Sequence, residues 1–418
     1  MSPVNVGQQR ADRLPFQFNR IIGQAQLPGS KMIPAAHAVR SLLALKLFGK
    51  ARSTDFMSHV FDEGLGLFAG LNVIPKRSFL TEYSCRVDPD CYPRLMRYWF
   101  NAASKMGLQR EGSFDLDFHT IPFHGDDALT QKHYVSKRSR RQKGVLAFLA
   151  QDAQTRVFCY GNAGIRKEDQ NDEIMRFVDF WKKRTGREPE ELVFDSKLTT
   201  YANLHALNQR DIKFITLRRR TKKMIRELYQ LPPSAWRRIQ LKNVKRAYST
   251  PKVLDQKITL KGYEGELRQL TIAELGHEDP TLLITNQMRL GAATLVGRYA
   301  RRMIIENGIE DSIDFFHMDA LSSAVALKVN FDLQLTLMAS SLYRLLGQRV
   351  GNGYETAKSR HLFNDFIDGT ATVDISKNAI DVQFHKKAHN PLLLAAGFAE
   401  TDTRISWLGG RRLLMRFG

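Results

Sequence analysis

Hydrophobic residues change their spacing along this chain, and the changes mark out its elements. After Pro34 they fall at helical intervals, Ala38, Leu42, Leu43, Leu45 and Leu47, in a segment ending near Gly49. A second helix is predicted over Asp55–Asp62 and another over Pro93–Gly107, with the basic segment Pro75–Thr81 between them leading into a further helix start. From Phe114 the period becomes two. Phe114, Leu116 and Phe118 alternate with Asp115, Asp117 and His119, which predicts a strand. Val145–Ala150 and Arg156–Gly161 read as two more strands, joined by hairpin-loop residues Gln151–Thr155. An amphipathic helix follows from Glu168 to about Arg184, with Ile174, Phe177, Val178 and Trp181 on one stripe and Gly186 as its stop.

Leu192–Phe194 is a short, wholly apolar run of the kind that forms a strand buried on both faces, and it stops at Asp195. A helix over Thr200–Gln209 and a strand over Lys213–Leu217 complete the series. Three antiparallel-type strands followed by alternating helix and strand predict a mixed α/β (α+β) fold, a mixed sheet flanked by helices. The chain then divides into a Gln-, Gly- and Pro-rich arm (1–30) that orders only on a partner, a helical domain (31–110), and a sheet domain built from 111–220 and 289–347. Residues 221–288 form a basic, β-rich insertion, a helix covers Ala292–Asn307, and a basic C-terminal region (348–418) stays unassigned.

Composition narrows the class. At 43% hydrophobic and 25% charged, the chain matches globular proteins rather than disordered ones. Its 418 residues exceed one ordinary core, in keeping with a domain carrying a large insertion. Lys and Arg number 63 against 43 acidic residues, and a net charge of +20 calls for a polyanionic partner. Nucleic acid is favoured over a membrane surface, because the longest apolar stretch, Leu333–Leu346, has polar breaks and is too short to span a bilayer. Met1–Arg20 contains no apolar signal core, which predicts a cytoplasmic protein. Cys85, Cys91 and Cys159 have neither the number nor the spacing for a disulfide framework or a zinc site.

Three carboxylates stand out. Asp117 is open to two readings, a solvated edge-strand face or a functional group beside Asp115. Asp195 ends a buried strand, where open α/β sheets place ligands, though an N-cap for the turn Ser196–Thr200 explains it as well. In Tyr299–Glu306, spacings of three and seven put Tyr299, Arg302 and Glu306 on one helical face beside Val296, Ile304 and Ile305, either a solvated stripe or a half-buried functional edge. Two Mg²⁺ ions roughly 4 Å apart, held by carboxylate oxygens, catalyse in-line phosphoryl displacement, and such a trio is the donor set they need. Basic clusters at Lys137–Arg141, at Arg218, Arg219, Arg220, Lys222 and Lys223, and at Arg237–Arg238 suit phosphate tracking. Trp236 and Tyr229 beside them either stack on an unpaired base or pack in the core. His119 and His124, with Asp126 or Asp127, lack zinc spacing and read better as polar loop residues. Gly64, Gly66 and Gly70 do not fit a dinucleotide-binding loop.

In combination, FDLDFHTIPF (114–123), LVFDSKLTTYANLHALNQRDIKFITLRRR (192–220), LLITN (282–286) and YARRMIIE (299–306) resemble bacterial insertion-sequence DDE transposases, the class with a Tyr-x2-Arg-x3-Glu-x6-Lys signature. The resemblance covers residues 35–345. It implies a ribonuclease-H-like catalytic domain with a β-rich insertion before the glutamate helix. It makes Asp117, Asp195 and Glu306 the catalytic, metal-holding residues for Mg²⁺, with Mn²⁺ able to substitute, and sets Tyr299 and Arg302 against DNA. The signature lysine falls on Ile313, leaving Arg301 or an insertion residue to grip the terminal phosphate, and Gly308 is expected to end or kink the helix. The implied activity is nicking at inverted-repeat ends and transfer of the 3′-hydroxyl into target double-stranded DNA. It would be carried out by a homodimer or higher assembly in a bacterial cytoplasm, with the helical domain helping to recognise the repeats. The missing lysine keeps open an inactive, transposase-derived DNA-binding protein, a repressor or relic. A nuclease without strand transfer is the third reading.

Overall fold

The computed structural model describes residues 14–418 except 52–54, 56–61, 73–74, 111, 124–130, 136–139, 167, 197–199, 243–248, 277–278 and 320–325. It begins with helices α1 (Leu14–Ala25), α2 (Ala35–Leu47), α3 (Glu63–Ala69), α4 (Arg77–Tyr83) and α5 (Cys91–Lys105). The expected arm is in part α1: Phe18, Ile21, Ile22 and Ala25, spaced for one helical face, are buried, and Phe18 meets Trp99 of α5 edge-on at 6.1 Å. Asp62 caps α3 by accepting from Leu65 N. The helix predicted over Asp55–Asp62 lies, but for its two ends, outside the described residues.

β1 (Ser113–Pro122), β2 (Gln131–Val135), β3 (Arg140–Asp152), β4 (Phe158–Ile165), α6 (Glu173–Thr185), β5 (Glu191–Val193), α7 (Tyr201–Gln209) and β6 (Lys213–Leu217) follow. β3 is antiparallel to β1 and β4, whereas β5 runs parallel to both β1 and β6. The order β4-β3-β1-β5-β6 is the mixed sheet expected of a ribonuclease-H-like fold. β1 is therefore an interior strand, and Asp117 does not sit on an edge. Gly186 ends α6 at φ 77° as predicted, and Thr200, read as the first residue of the next helix, is its N-cap, accepting from Asn203 N.

The basic segment after β6 opens with α8 (Lys222–Tyr229), a helix the sequence did not suggest, and continues as β7 (Arg237–Arg238), β8 (Lys252–Leu260), β9 (Tyr263–Ala273) and β10 (Thr281–Thr285). β10 pairs with β6, and β9, β8 and β7 add outward in turn, so these strands extend the central sheet beyond β6. Without them β6 would present an unpaired edge.

Pleating sends alternate residues of each strand to opposite faces, and here each face has its own cover. Leu192, Phe194, Phe214 and Ile284 enter the large core, which runs from α1, α2 and α5 through Phe114, Phe148, Phe177 and Trp181. Val193, Ile215 and Leu283 face the other way, against Leu295 and Val296 of α9 (Ala292–Arg301). The helix predicted over Ala292–Asn307 is broken at Arg302–Met303 and resumes as α10 (Ile304–Asp314). Gly308 does not end it. A Cβ there would lie 2.6 Å from Gln151 Nε2 and 3.1 Å from the Phe158 ring, so the glycine lets α10 approach β3 and β4 closely.

α11 (Ala326–Val350) contains the long apolar stretch and lies on β4, where a Cβ on Gly161 would meet Leu337 Cδ1 at 2.6 Å. Lys46 pairs with Asp332 at 2.6 Å, Trp99 Nε1 donates to Ser341 Oγ at 2.9 Å, and Gln334 Nε2 donates to Gly161 O at 3.0 Å. Among the described residues no helix is long and apolar enough to cross a membrane. The C-terminal region forms a second sheet, β11 (Ala371–Ile375), β12 (Ala379–Phe384), β13 (Thr403–Ile405) and β14 (Arg411–Phe417), in the order β11-β12-β14-β13. Trp407 ties it to the N-terminal helices by donating to Leu67 O at 2.9 Å and stacking on the Arg40 guanidinium, 4.3 Å from its ring.

Gly308→Ala should lower stability by about 1–3 kcal/mol, because Gln151 and Phe158 are packed on every side. Gly297→Ala, at a helical position with no neighbour within 4 Å, should raise it by up to about 1 kcal/mol. Urea midpoints of the two variants would check both signs.

Candidate active site

The polar face of β1 points at α9. Two residues along a strand advance about 6.6 Å. Four residues along a helix advance about 6 Å. The Asp115/Asp117 pair on β1 therefore matches Arg298 and Arg302, one helical turn apart. Arg298 Nη1 donates to Asp115 at 2.7 Å and Arg302 Nη1 to Asp117 at 3.2 Å. Arg298 also reaches Glu191 through Nε at 2.7 Å and Ser113 Oγ through Nη2 at 2.8 Å, while Gln287 Nε2 donates to the other Glu191 oxygen at 3.0 Å. His119, next on the same face, meets Asp319 at 2.7 Å, which replaces the polar-loop reading of this histidine.

Burial sets the electrostatics. It raises the pKa of Asp115 despite Arg298, while at Glu191 the same burial is outweighed by Arg298, Gln287 and Ser113, which hold that carboxyl low. Asp117 is likewise raised by burial and by the Glu306 charge, against the pull of Arg302 and the amide of Phe118, which donates to Oδ1 at 2.8 Å.

Asp117 and Asp195 lie beyond the same end of the paired stretch of two strands. The parallel β1–β5 ladder ends with Asp115 opposite Val193; Asp117 continues β1 and Asp195 follows the end of β5, so both leave the paired strands in the same direction. Asp195 Oδ1 accepts from Ser196 N at 2.5 Å and from Ser196 Oγ at 3.1 Å, while most of the turn that it was read as capping lies outside the described residues. Arg302 is the residue these groups share. Its Nη2 lies 3.9 Å from Glu306, its guanidinium is 5.6 Å from the Tyr299 ring centre, and it is buried. Burial alone would lower its pKa, but Asp117, Tyr299, Asp195 and Glu306 raise it. Tyr299 is pushed up to about 12, by burial first and then by Asp195 and Asp117.

Asp117, Asp195 and Glu306 thus come from a central strand, a neighbouring strand end and the helix beyond the break, and all act on one guanidinium. Among the described residues no group of three or more His, Cys, Asp or Glu is drawn close enough to hold a metal ion, and Arg302 bridges Asp117 and Glu306 instead. The donor set, all carboxylate, nevertheless has the chemistry of a hard-cation site. Ile313, at the position of the signature lysine, packs against the large core.

Arg218 follows the carboxyl end of β6, on the same sheet edge as Asp195, and its Nη1 donates to Gln269 at 2.8 Å. Arg219, Arg220, Lys222 and Lys223 are exposed, with Arg220 donating to Asp279 O and Lys223 near Glu227. Arg301 is exposed on α9. Arg237 and Arg238 are ion-paired with Asp255 and Glu274. Tyr229 is 62% exposed, against a core role for its ring, whereas Trp236 is half-buried. The side chains of Lys137–Arg141, and His124, Asp126 and Asp127, lie outside the described residues. Arg298, Glu191 and Gln287 were missed from sequence, although the Arg298/Arg302 spacing was visible.

No protein-family profile matches this chain. No curated protein matches it either. Among solved structures, a cryo-EM structure of the piggyBac transposase synaptic complex with hairpin DNA is similar at a TM-score of 0.40 and 11% identity, covering 85% of this chain and 82% of that one. A likeness this slight carries no functional weight.

Arg298→Ala should cost about 3–5 kcal/mol, because it leaves Asp115 and Glu191 buried without their cation; chemical denaturation would measure it. Glu191→Gln should show a pH signature. A carboxyl held low contributes stability that is complete above its ordinary value of 4.5 and fades as pH falls through its lower folded value. The gap between wild type and variant should therefore be widest near neutrality and close on acidification.

Proposed function

We propose that this protein is a DNA transposase of the DDE type, cleaving at the ends of an insertion sequence and joining them to target DNA. The observation that carries the reading is the convergence of Asp117, Asp195 and Glu306 on one buried arginine, from the strand, strand end and helix that a ribonuclease-H-like sheet sets side by side. The three carboxylates would hold Mg²⁺, with Mn²⁺ as a substitute; bound there, the ions would activate an attacking hydroxyl and stabilise the departing oxygen. Arg302 and Tyr299 would meet the DNA beside the cleaved bond.

Charge supports the choice of substrate. Between Arg210 and Lys252 there are fourteen Lys and Arg against two acidic residues, and this segment leaves the sheet at the edge where Asp195 lies. Arg218, Arg219, Arg220, Lys222 and Lys223 would track the phosphate backbone of double-stranded DNA, with Arg301 as a further contact. Transposition on paired ends further implies a homodimer or higher assembly. The alternative, an inactive transposase-derived DNA-binding protein, is favoured by Ile313, packed against the core in place of the signature lysine, and by Arg302 occupying the carboxylates.

The deciding assay incubates the full chain with labelled DNA from the flanks of its own coding region, with Mg²⁺, Mn²⁺ or EDTA. Metal-dependent nicking and joined products are expected. Asp117→Asn, Asp195→Asn and Glu306→Gln should each abolish cleavage and leave DNA binding within about twofold, since the phosphate contacts remain. Binding without cleavage by wild type would select the inactive derivative, and cleavage without joining a nuclease.

A further inference from the structure

The position of Arg302 goes beyond a DNA contact. Its guanidinium is buried, yet its carboxylate contacts are weak, one 3.2 Å bond to Asp117 and a 3.9 Å approach to Glu306, with the Tyr299 hydroxyl as a further hydrogen-bond partner. Its Nε, also buried, has no hydrogen-bond partner among the described residues. Arg298, four residues away, is by contrast held by three short bonds. Arg302 also falls at the break between α9 and α10, where the backbone is not tied into a continuous helix. Tyr299 lies against its other side.

We propose that Arg302 is a displaceable counter-cation: it neutralises Asp117, Asp195 and Glu306 while DNA is absent, and a DNA phosphate draws it away, opening the carboxylates to divalent metal. The proposal rests on reading these carboxylates as the metal site. A fixed positive charge at this distance opposes a divalent ion strongly. The two non-bridging oxygens of a DNA phosphate offer the guanidinium a bidentate pairing that its single 3.2 Å bond to Asp117 does not supply. Metal loading is thereby coupled to substrate, and metal-dependent cutting is suppressed on the free protein. The coupling must be reciprocal, so metal should also strengthen DNA binding.

The test measures Mn²⁺ binding to the full chain by the loss of the free aqueous Mn²⁺ electron paramagnetic resonance signal, alone and with a DNA duplex. Without DNA, Arg302→Gln should bind Mn²⁺ at least about tenfold more tightly than wild type, and Arg302→Lys, which keeps the charge, should stay weak. DNA should tighten Mn²⁺ binding to wild type by a similar factor and change Arg302→Gln little. Adding Asp117→Asn to Arg302→Gln should remove the gain, placing the ion at these carboxylates. Equal Mn²⁺ affinity of wild type and Arg302→Gln without DNA would overturn the counter-cation role and leave the metal-site reading intact. Absence of Mn²⁺ binding in every variant, with DNA and without, would overturn the metal-site reading itself and this proposal with it.

Discussion

The fit between a strand advancing by twos and a helix advancing by fours underlies the site. Arg298 on α9 and Arg302 just past its end meet Asp115 and Asp117 on β1 because the two repeats nearly coincide in length. Desolvating such charges is costly, and a buried ion pair is seldom a net source of stability. Its effect is registration. Sliding the helix by one turn would leave one of the two aspartates without its cation, so the helix has one favourable position on the sheet. That position delivers Glu306, just past the break, to the guanidinium that Asp117 also holds.

The two guanidiniums on this ladder differ in kind. Arg298 is saturated by Asp115, Glu191 and Ser113, with Gln287 completing the Glu191 carboxylate, and is fixed by all of them. Arg302 faces more negative charge with fewer bonds. One turn of helix thus separates an anchor from a group free to respond to a ligand. The sheet supports both, since the strands beyond β6 protect its edge while the large core clamps its other face.

Much of this was legible. Period two at Phe114–His119 marked β1, the apolar run at Leu192–Phe194 marked β5, and Lys213–Leu217 was placed to the residue. The stop at Gly186 also read correctly, because local backbone demands are written in single residues. α1 escaped notice because its short stripe is embedded in polar residues, and α8 because its basic residues masked an exposed helix. The second sheet at the C-terminus has short strands whose partners are distant in sequence, and Trp407 on Arg40 joins residues from opposite ends of the chain.

By itself the sequence determined the alternation of elements, the basic character of the surface and the identity of the carboxylates, since all of these depend on residue type and near-neighbour spacing. Tertiary structure decided what those residues face. Asp115 and Asp117 have one pattern whether their strand lies at an edge or inside a sheet, and only the pairing of β1 with β3 and β5 turns their polar face from solvent to α9. Gly308 reads as a helix breaker until β3 and β4 are packed against it, when the missing side chain becomes the reason α10 fits. Arg302 could be read as a DNA contact from its helical spacing, but its hold on the carboxylates depends on groups brought from residues 117, 195 and 306, which no local pattern contains.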